Sequence, residues 1–375
     1  MKKRFIIPYF LVLPILIFAQ GTINVPVDIV YYPATENYFL SNSVEGNGNI
    51  LKLDLEGNVE SILFSGLHYP GGLCLVDDIL YVGDNYGKWD DYLPSYLVGI
   101  NINSGQQVLN FLVSSSSTYI DLMTSDSTGN IYMANSGTGN EDGKVQKFNI
   151  ESQTLTDLVT QTFRPNGVCY DYIDGRIIFI ESTPGLSFLK SISPEGGEVT
   201  KIFYMNQRIN SVIMHDNGEF YLASWGTNDI WGDESVYKAN HSLTWNTAIS
   251  TGHNRPLGMC VGADNHLLVC NWGEASLSFI DLDLFGVNES ILANNHFNLK
   301  PNPAHSSVSI DFENTEAEML EIFIHDILGK EVYHERLGRS DIMVRKINID
   351  HLKAGSYIVN IFDGQHAMHQ KLVVN

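Results

Sequence analysis

Three arginines raise the first chemical question. Arg164, Arg208 and Arg255 each stand three residues before a small residue (Gly167, Ser211 and Gly258) of a pattern that recurs along the chain. The chain has few cations, and a guanidinium is a planar fork suited to carboxylate or phosphate. Aromatic residues recur in a matching way. Trp225 and Trp272 occupy equivalent positions and Tyr86 aligns with them; flat aromatic faces at a polar edge suit sugars or cations. Asn135, Glu181, Asn166 and Asn210 complete a set of candidate ligand-binding residues at the same positions of the pattern. Each has a plainer alternative. Arginine at a sheet edge can pair with an acid of a neighbouring sheet, a repeated Trp-Gly can pack one sheet on another, and Asn or Ser can cap strand ends and turns.

Other catalytic signals are weak. There is no Gly-x-Ser-x-Gly, no His-Glu-x-x-His and no Gly-rich phosphate loop. Twelve histidines are scattered; His215 falls in a turn, and His68 and His253 fall near the end that carries the arginines. Cys74, Cys169 and Cys260 each follow a glycine by two residues, so they share one repeated, buried position. Cys260 and Cys270 could face each other across a hairpin as a disulfide. The absence of a Cys-x-x-Cys pair speaks against a zinc site.

The elements that must position these residues form a repeat. The runs 26–42, 70–85, 119–135, 165–182, 209–225 and 256–272 share a polar or proline lead-in, a small residue, an apolar run, an Asp/Asn/Gly turn and a second apolar run. Taking Asp28, Gly72, Asp121, Gly167, Ser211 and Gly258 as markers, the period is 44 to 49 residues. Six β-rich units of that length predict a six-bladed β-propeller over residues 20–285. In an antiparallel blade the start of the first strand and the end of the second share one face, so the arginines and tryptophans meet at one mouth of the ring. The sixth unit lacks an obvious fourth strand, and Gly21–Val25 is expected to supply it, closing the ring.

Composition agrees with this all-β class. Hydrophobic residues are 44% of the 375, charged residues 17%, and the formal net charge is −21. So acidic a chain repels nucleic acid and anionic membrane. Residues 1–19 read as a signal peptide: a basic start, an apolar run from Phe5 to Phe18, then Ala19. The run is too short for a confident transmembrane helix and no later run is long enough to span a bilayer.

Residues 286–297 read as a linker, and 298–375 as a small C-terminal β-sandwich with alternating apolar residues and Gly/Asp turns. Lys300-Pro301-Asn302-Pro303-Ala304, the Asp326-x-x-Gly329-Lys330 turn, Leu352-x-x-Gly355-x-Tyr357 and the terminal Lys371-Leu372-Val373-Val374 stand in order. This segment resembles the type A C-terminal sorting domain of the type IX secretion system of Bacteroidota. The resemblance implies the type IX machinery as partner, and a protein released outside the cell or attached to its outer surface.

Pro165-Asn166-Gly167-Val168 followed by Asp174-Gly175-Arg176 resembles the regucalcin/gluconolactonase family of six-bladed propellers and, more loosely, the NHL repeats. That resemblance implies a divalent cation such as calcium or zinc in the channel, with Asn166 as one metal ligand. The family's catalytic Asp falls on Asn210, and its Glu falls on Pro26-Val27-Asp28, where no Glu stands. An amide cannot act as the base at neutral pH. The expected function is therefore binding of an acidic small molecule or glycan at the upper rim. A metal-dependent lactonase or hydrolase is one alternative, and a protein-interaction scaffold another.

Overall fold

The computed structural model describes residues 21–87, 93–115, 118–138, 141–183, 186–226, 234–243, 246–284, 296–313, 319–326, 331–338, 344–362 and 367–375. The expected signal peptide lies outside them. Five four-stranded antiparallel sheets and one three-stranded sheet follow in chain order. Their inner strands are Pro26–Tyr32, Tyr69–Val76, Ile120–Ser125, Pro165–Asp171, Ile209–Met214 and Pro256–Val261. Each inner strand packs on the next, and the sixth packs on the first. The chain is thus a closed six-bladed propeller.

The second strands explain why the repeat reads as unbroken apolar runs. Side chains alternate between the two faces of a strand, and in a blade both faces are covered. Ile177 and Phe179 enter a core shared with blade three, whereas Ile178 and Ile180 enter one shared with blade five. Tyr38 and Leu40 pack toward blade six, and Phe39 toward blade two. Six such inter-blade clusters surround the axis.

The recurring small residue marks a close approach. A Cβ on Gly258 would lie 2.1 Å from Asp28 Oδ1 and 2.5 Å from Asp28 Cα, and one on Gly72 would lie 2.4 Å from the Asp121 carbonyl. Every inner strand also breaks register here, between Pro26 and Ile29, Pro70 and Leu73, Ile120 and Met123, Pro165 and Val168, Ile209 and Ser211, and Pro256 and Met259. A bulge bends the strand and re-aims a side chain, so Asp121, Asn166 and Asn210 occur at matching irregularities on consecutive blades.

The ring does not close as the sequence suggested. Gly21–Val25 forms no strand, and among the described residues blade six has three: Pro256–Val261, His266–Asn271 and Ser276–Asp281. The Asn42 side chain accounts for this. Its Oδ1 accepts the Asn24 and Val25 N–H groups, both at 2.9 Å, and its Nδ2 donates to the Thr22 carbonyl. These bonds hold the segment against blade one. All four cysteines are free thiols. Cys260 pairs in register with Leu268 while Cys270 pairs with Leu277, so the two cysteines do not face each other across the hairpin.

The C-terminal unit is a β-sandwich of a three-stranded and a four-stranded sheet around Leu299, Val308, Ile310, Ile322, Val359 and Leu372. Its first strand is His296–Lys300, and Phe297 is buried in its core. The last two residues assigned to the linker therefore belong to the sandwich. Two separate sequence motifs meet there. Asn302 Oδ1 accepts the Val373 N–H at 2.9 Å, and Ala304, fully buried, exchanges backbone bonds with Val373 and Asn375. The Asp326-x-x-Gly329-Lys330 turn lies mostly outside the described residues.

Candidate functional site

Strand register fixes one mouth of the ring. Pro165 pairs with Glu181, Ile209 with Ser224, and Pro256 with Asn271. The residue preceding each inner strand thus sits beside the residue following its partner. Trp225 N–H donates to the Arg208 carbonyl at 2.8 Å, and Trp272 N–H to the Arg255 carbonyl at 3.2 Å. Each arginine–tryptophan pair belongs to one blade and is pinned through its backbone. Arg164 and Arg255, both preceding prolines, adopt φ values of 39° and 52°. This left-handed conformation costs a non-glycine residue about 1 kcal/mol or more.

The side chains form a stack across blades five and six. The Arg208 guanidinium carbon lies 4.4 Å from the Trp225 ring centre; that of Arg255 lies 5.7 Å from Trp225 and 5.1 Å from Trp272. The two indoles are nearly parallel, with centres 6.0 Å apart. Trp225 Nε1 donates to the Pro256 carbonyl at 2.9 Å, and the residue is 9% exposed. Its face is therefore not an open platform for a sugar, contrary to the sequence expectation. The indole spaces two cations and ties blade five to blade six. Trp272 is half-buried and forms the outer end of the stack.

Asp121, on the inner strand of blade three, lies in the field of Arg208 and Arg164 and takes a hydrogen bond from Ser136. Desolvation dominates this carboxyl and pushes it up to about 7, against the opposing pull of Ser136 and the two arginines. Its Oδ2 is enclosed and has no hydrogen-bond partner. Between the arginines' own blades lies a neutral pair, with Asn166 Nδ2 donating to Asn210 Oδ1 at 3.0 Å. Both amides are buried, and Asn210 Nδ2 and the Ser211 hydroxyl are enclosed without partners.

The remaining candidates have structural employment. Glu181 forms a 2.8 Å ion pair with Lys190 and accepts from Thr162 Oγ1 and the Phe163 N–H, which hold it below the usual carboxylate range despite its desolvation. Asn135 is buried; it donates to Gln146 Oε1 and accepts the Gly137 N–H. Other residues at the ends of second strands clip one blade to the next. Asn85 Oδ1 accepts the Ile120 N–H at 2.8 Å, and Ser182 Oγ donates to the Ile209 carbonyl at 2.8 Å.

One pairing at this mouth escaped sequence reasoning. On blade two, buried Asp84 accepts the His68 N–H at 2.7 Å and lies 3.3 Å from its Nδ1. The His68 ring stacks on Tyr86, with centres 3.5 Å apart. That Asp84 is the partner of His68 becomes visible only once the register of the hairpin is known.

The residues do not fit a divalent cation in the channel. Such an ion needs oxygen donors, mostly carboxylates, and Asn166 is paired with another amide. Among the described residues the one acid and histidine cluster with suitable spacing is Asp171, Asp174 and His241. It lies at the turn end of blade four, away from Asn166, and is already occupied by Arg176. The Arg176 Nε is 2.9 Å from Asp171, and a terminal nitrogen is 3.1 Å from Asp174.

Comparisons with known proteins define the class. Residues 298–375 match the family model of the secretion system C-terminal sorting domain. Type IX secretion thus delivers the chain to the cell surface or the medium. The fold is similar over part of its length to a gluconolactonase of Xanthomonas campestris, at 10% identity and a TM-score of 0.55, covering 69% of this chain and 85% of that one. It is also similar to hydrazine synthase of Kuenenia stuttgartiensis, at 14% identity and TM-score 0.53, covering 76% and 83%. A protein of unknown function from Bacteroides thetaiotaomicron gives 13% identity and TM-score 0.51, covering 70% of each chain. No curated protein matches the chain. The chain is therefore a six-bladed propeller, similar in fold to these structures, carrying a secretion system C-terminal sorting domain. At such identities the likeness establishes the fold and no activity.

Proposed function

We propose that the propeller binds a small carboxylate-bearing molecule, or the acidic end of a glycan, at the mouth formed by blades three to six. Residues 1–19 would carry the chain across the inner membrane and be removed. The observation that supports binding most directly is the convergence of Arg164, Arg208 and Arg255 from three consecutive blades. Arg208 and Arg255 flank one indole, while Arg164 and Arg208 act on one carboxyl. A carboxylate accepts two parallel N–H bonds from a guanidinium, and such charge-assisted bonds are about twice as strong as neutral ones. The enclosed amide and hydroxyl of Asn210 and Ser211 lie on the same inner strands. A neutral ligand would gain little from three cations.

Titration calorimetry of the mature chain with D-glucuronate and with D-glucose tests this. Glucuronate should bind and glucose should not, and Arg208→Ala should weaken glucuronate about tenfold or more, since a hydrogen bond to a charged group contributes ~1.5–3 kcal/mol. Equal binding of the two sugars, or an unaffected Arg208→Ala, would refute the reading.

A further inference from the structure

We propose that the rim of blade two seats a neutral sugar on His68 and Tyr86. The ligand of this mouth is then a glycan, with an acidic residue on the arginines and a neutral residue on blade two. The inference rests on the proposed anion site and adds the class of molecule which that site takes.

The platform is built by one hairpin. Tyr69 pairs with Asn85 and Pro70 with Asp84, which brings His68, just before the inner strand, beside Tyr86, just after the second. The two rings stack with centres 3.5 Å apart and planes 23° from parallel. Tyr86 leans in turn on Tyr96 of the third strand, Ser95–Asn101, with centres 5.0 Å apart. Asp84 fixes the imidazole from behind. It is buried, accepts the His68 N–H at 2.7 Å with one oxygen and lies 3.3 Å from Nδ1 with the other. An acceptor at Nδ1 keeps the proton of a neutral ring there, which leaves Nε2 as a hydrogen-bond acceptor. Among the described residues nothing bonds Nε2. The His68 side chain is 40% exposed. One face lies on Tyr86 and Nδ1 lies on Asp84, so this exposure belongs to the other face and the Nε2 edge. A flat ring with an open face and a polar edge suits a sugar, whose C–H face packs on the ring while a hydroxyl donates to the nitrogen.

The two indoles do not offer such a face. Trp225 is enclosed, and Arg255 lies against both rings. Blade two stands two blades from blade five in either direction around the ring. A molecule that rests on His68 and on Arg208 therefore crosses the mouth. A single sugar held by its carboxylate on the arginines leaves His68 uncovered, whereas an oligosaccharide reaches both. Charge selects the kind of sugar on blade two. The arginines of the propeller all lie on blades four to six, Asp84 already stands beside His68, and the chain carries a net charge of −21. A second acidic residue would be repelled there and a neutral one would not.

Titration calorimetry of the mature chain tests this with three probes: D-glucuronate, xylotriose, and the aldotetraouronic acid that joins one glucuronate to three xyloses. The tetrasaccharide should bind about tenfold more tightly than D-glucuronate, from one stacked ring and one hydrogen bond, and xylotriose should bind weakest. His68→Ala and Tyr86→Ala should bring the tetrasaccharide down to the affinity of D-glucuronate and leave D-glucuronate itself unchanged, which a purely structural role of the stack would not produce. Should either variant fail to fold, saturation-transfer NMR of the unaltered chain decides, and xylose protons should be marked together with those of glucuronate. Equal affinity for D-glucuronate and the tetrasaccharide, a tetrasaccharide gain that survives in both variants, or marking of glucuronate protons alone would overturn the sugar platform and leave the anion site standing. Xylotriose binding as tight as the tetrasaccharide, with none for D-glucuronate, would overturn the anion site, and with it the acidic glycan. No binding of any probe would overturn both.

Discussion

Replacing Trp225 separates a ligand platform from an internal spacer. If the indole faced the ligand, Trp225→Leu would cost affinity and little stability. The structure gives the opposite expectation. The substitution leaves the Pro256 carbonyl without its 2.9 Å donor, and an enclosed acceptor left unpaired costs ~1–3 kcal/mol. It removes the aromatic face beside Arg208 and Arg255, at ~0.5–1 kcal/mol for each cation. It also removes the nearly parallel partner of Trp272, at ~0.5–1.5 kcal/mol. The lower ends of these ranges together give roughly 2.5 kcal/mol, and full additivity is not expected for contacts that share one ring. Urea unfolding of the mature chain, followed by far-ultraviolet circular dichroism, measures it. Trp225→Phe keeps an aromatic face and should lose only about the hydrogen-bond share. A Trp225→Leu chain within ~0.5 kcal/mol of the parent would refute the spacer assignment.

Gly258→Ala should destabilise the ring by about 2–3 kcal/mol, because the new Cβ would lie 2.5 Å from the Asp28 Cα and backbone cannot swing aside; the same urea series reads it. Asp28 is held at about 7 by burial, outweighing the Leu73 and Ile29 N–H bonds that favour its ionised form. A raised folded value means that its contribution is fully present below the unfolded value of about 3.9 and is lost as pH rises through about 7, amounting to at most ~4 kcal/mol. Unfolding midpoints from about pH 4 to about pH 8 should therefore fall more steeply in the parent than in Asp28→Asn, and equal slopes would contradict this. Asn302→Ala should lower the stability of the sorting sandwich by ~1 kcal/mol through loss of the Val373 bond, read as an earlier thermal transition for that unit alone.

The architecture was legible because it is written twice over. Ile177, Ile178, Phe179 and Ile180 are a continuous apolar run only because each face of the strand meets a different neighbouring blade. A run of that kind, six times at one period, leaves few folds other than a closed ring. The mouth was legible as a register: Arg208 and Trp225, and Arg255 and Trp272, stand side by side as the repeat implied. What lay beyond the sequence is the identity of third parties. Nothing local announces that Arg255 reaches the indole of the preceding blade, or that Lys190 on the facing strand takes Glu181. The failed fourth strand of blade six is of the same kind. Gly21–Val25 has a strand-like sequence, and a single carboxamide, that of Asn42, takes its N–H groups first.

The placement of cations across the propeller sharpens the functional reading. Residues 21–284 hold four arginines. Among the described lysines, Lys52, Lys144, Lys147, Lys190 and Lys238 each bond a carboxylate, and Lys201 lies over Phe188. Arg176 is bonded by Asp171 and Asp174 at the opposite end of its blade. The other three arginines come to one mouth of a chain whose net charge is −21. Blade-to-blade adhesion does not require this, since blades one to three hold together with no arginine at all, through Asp28, Asn85 and their apolar clusters. Long-range repulsion would keep anions away from most of this surface, and it decays within about 8 Å at physiological salt. An anion that comes within that distance of the mouth meets three arginines, of which Arg208 and Arg255 are spaced by Trp225. Under the proposed function discrimination falls to this contact, and an acid that cannot reach two of the arginines at once should be rejected with the rest.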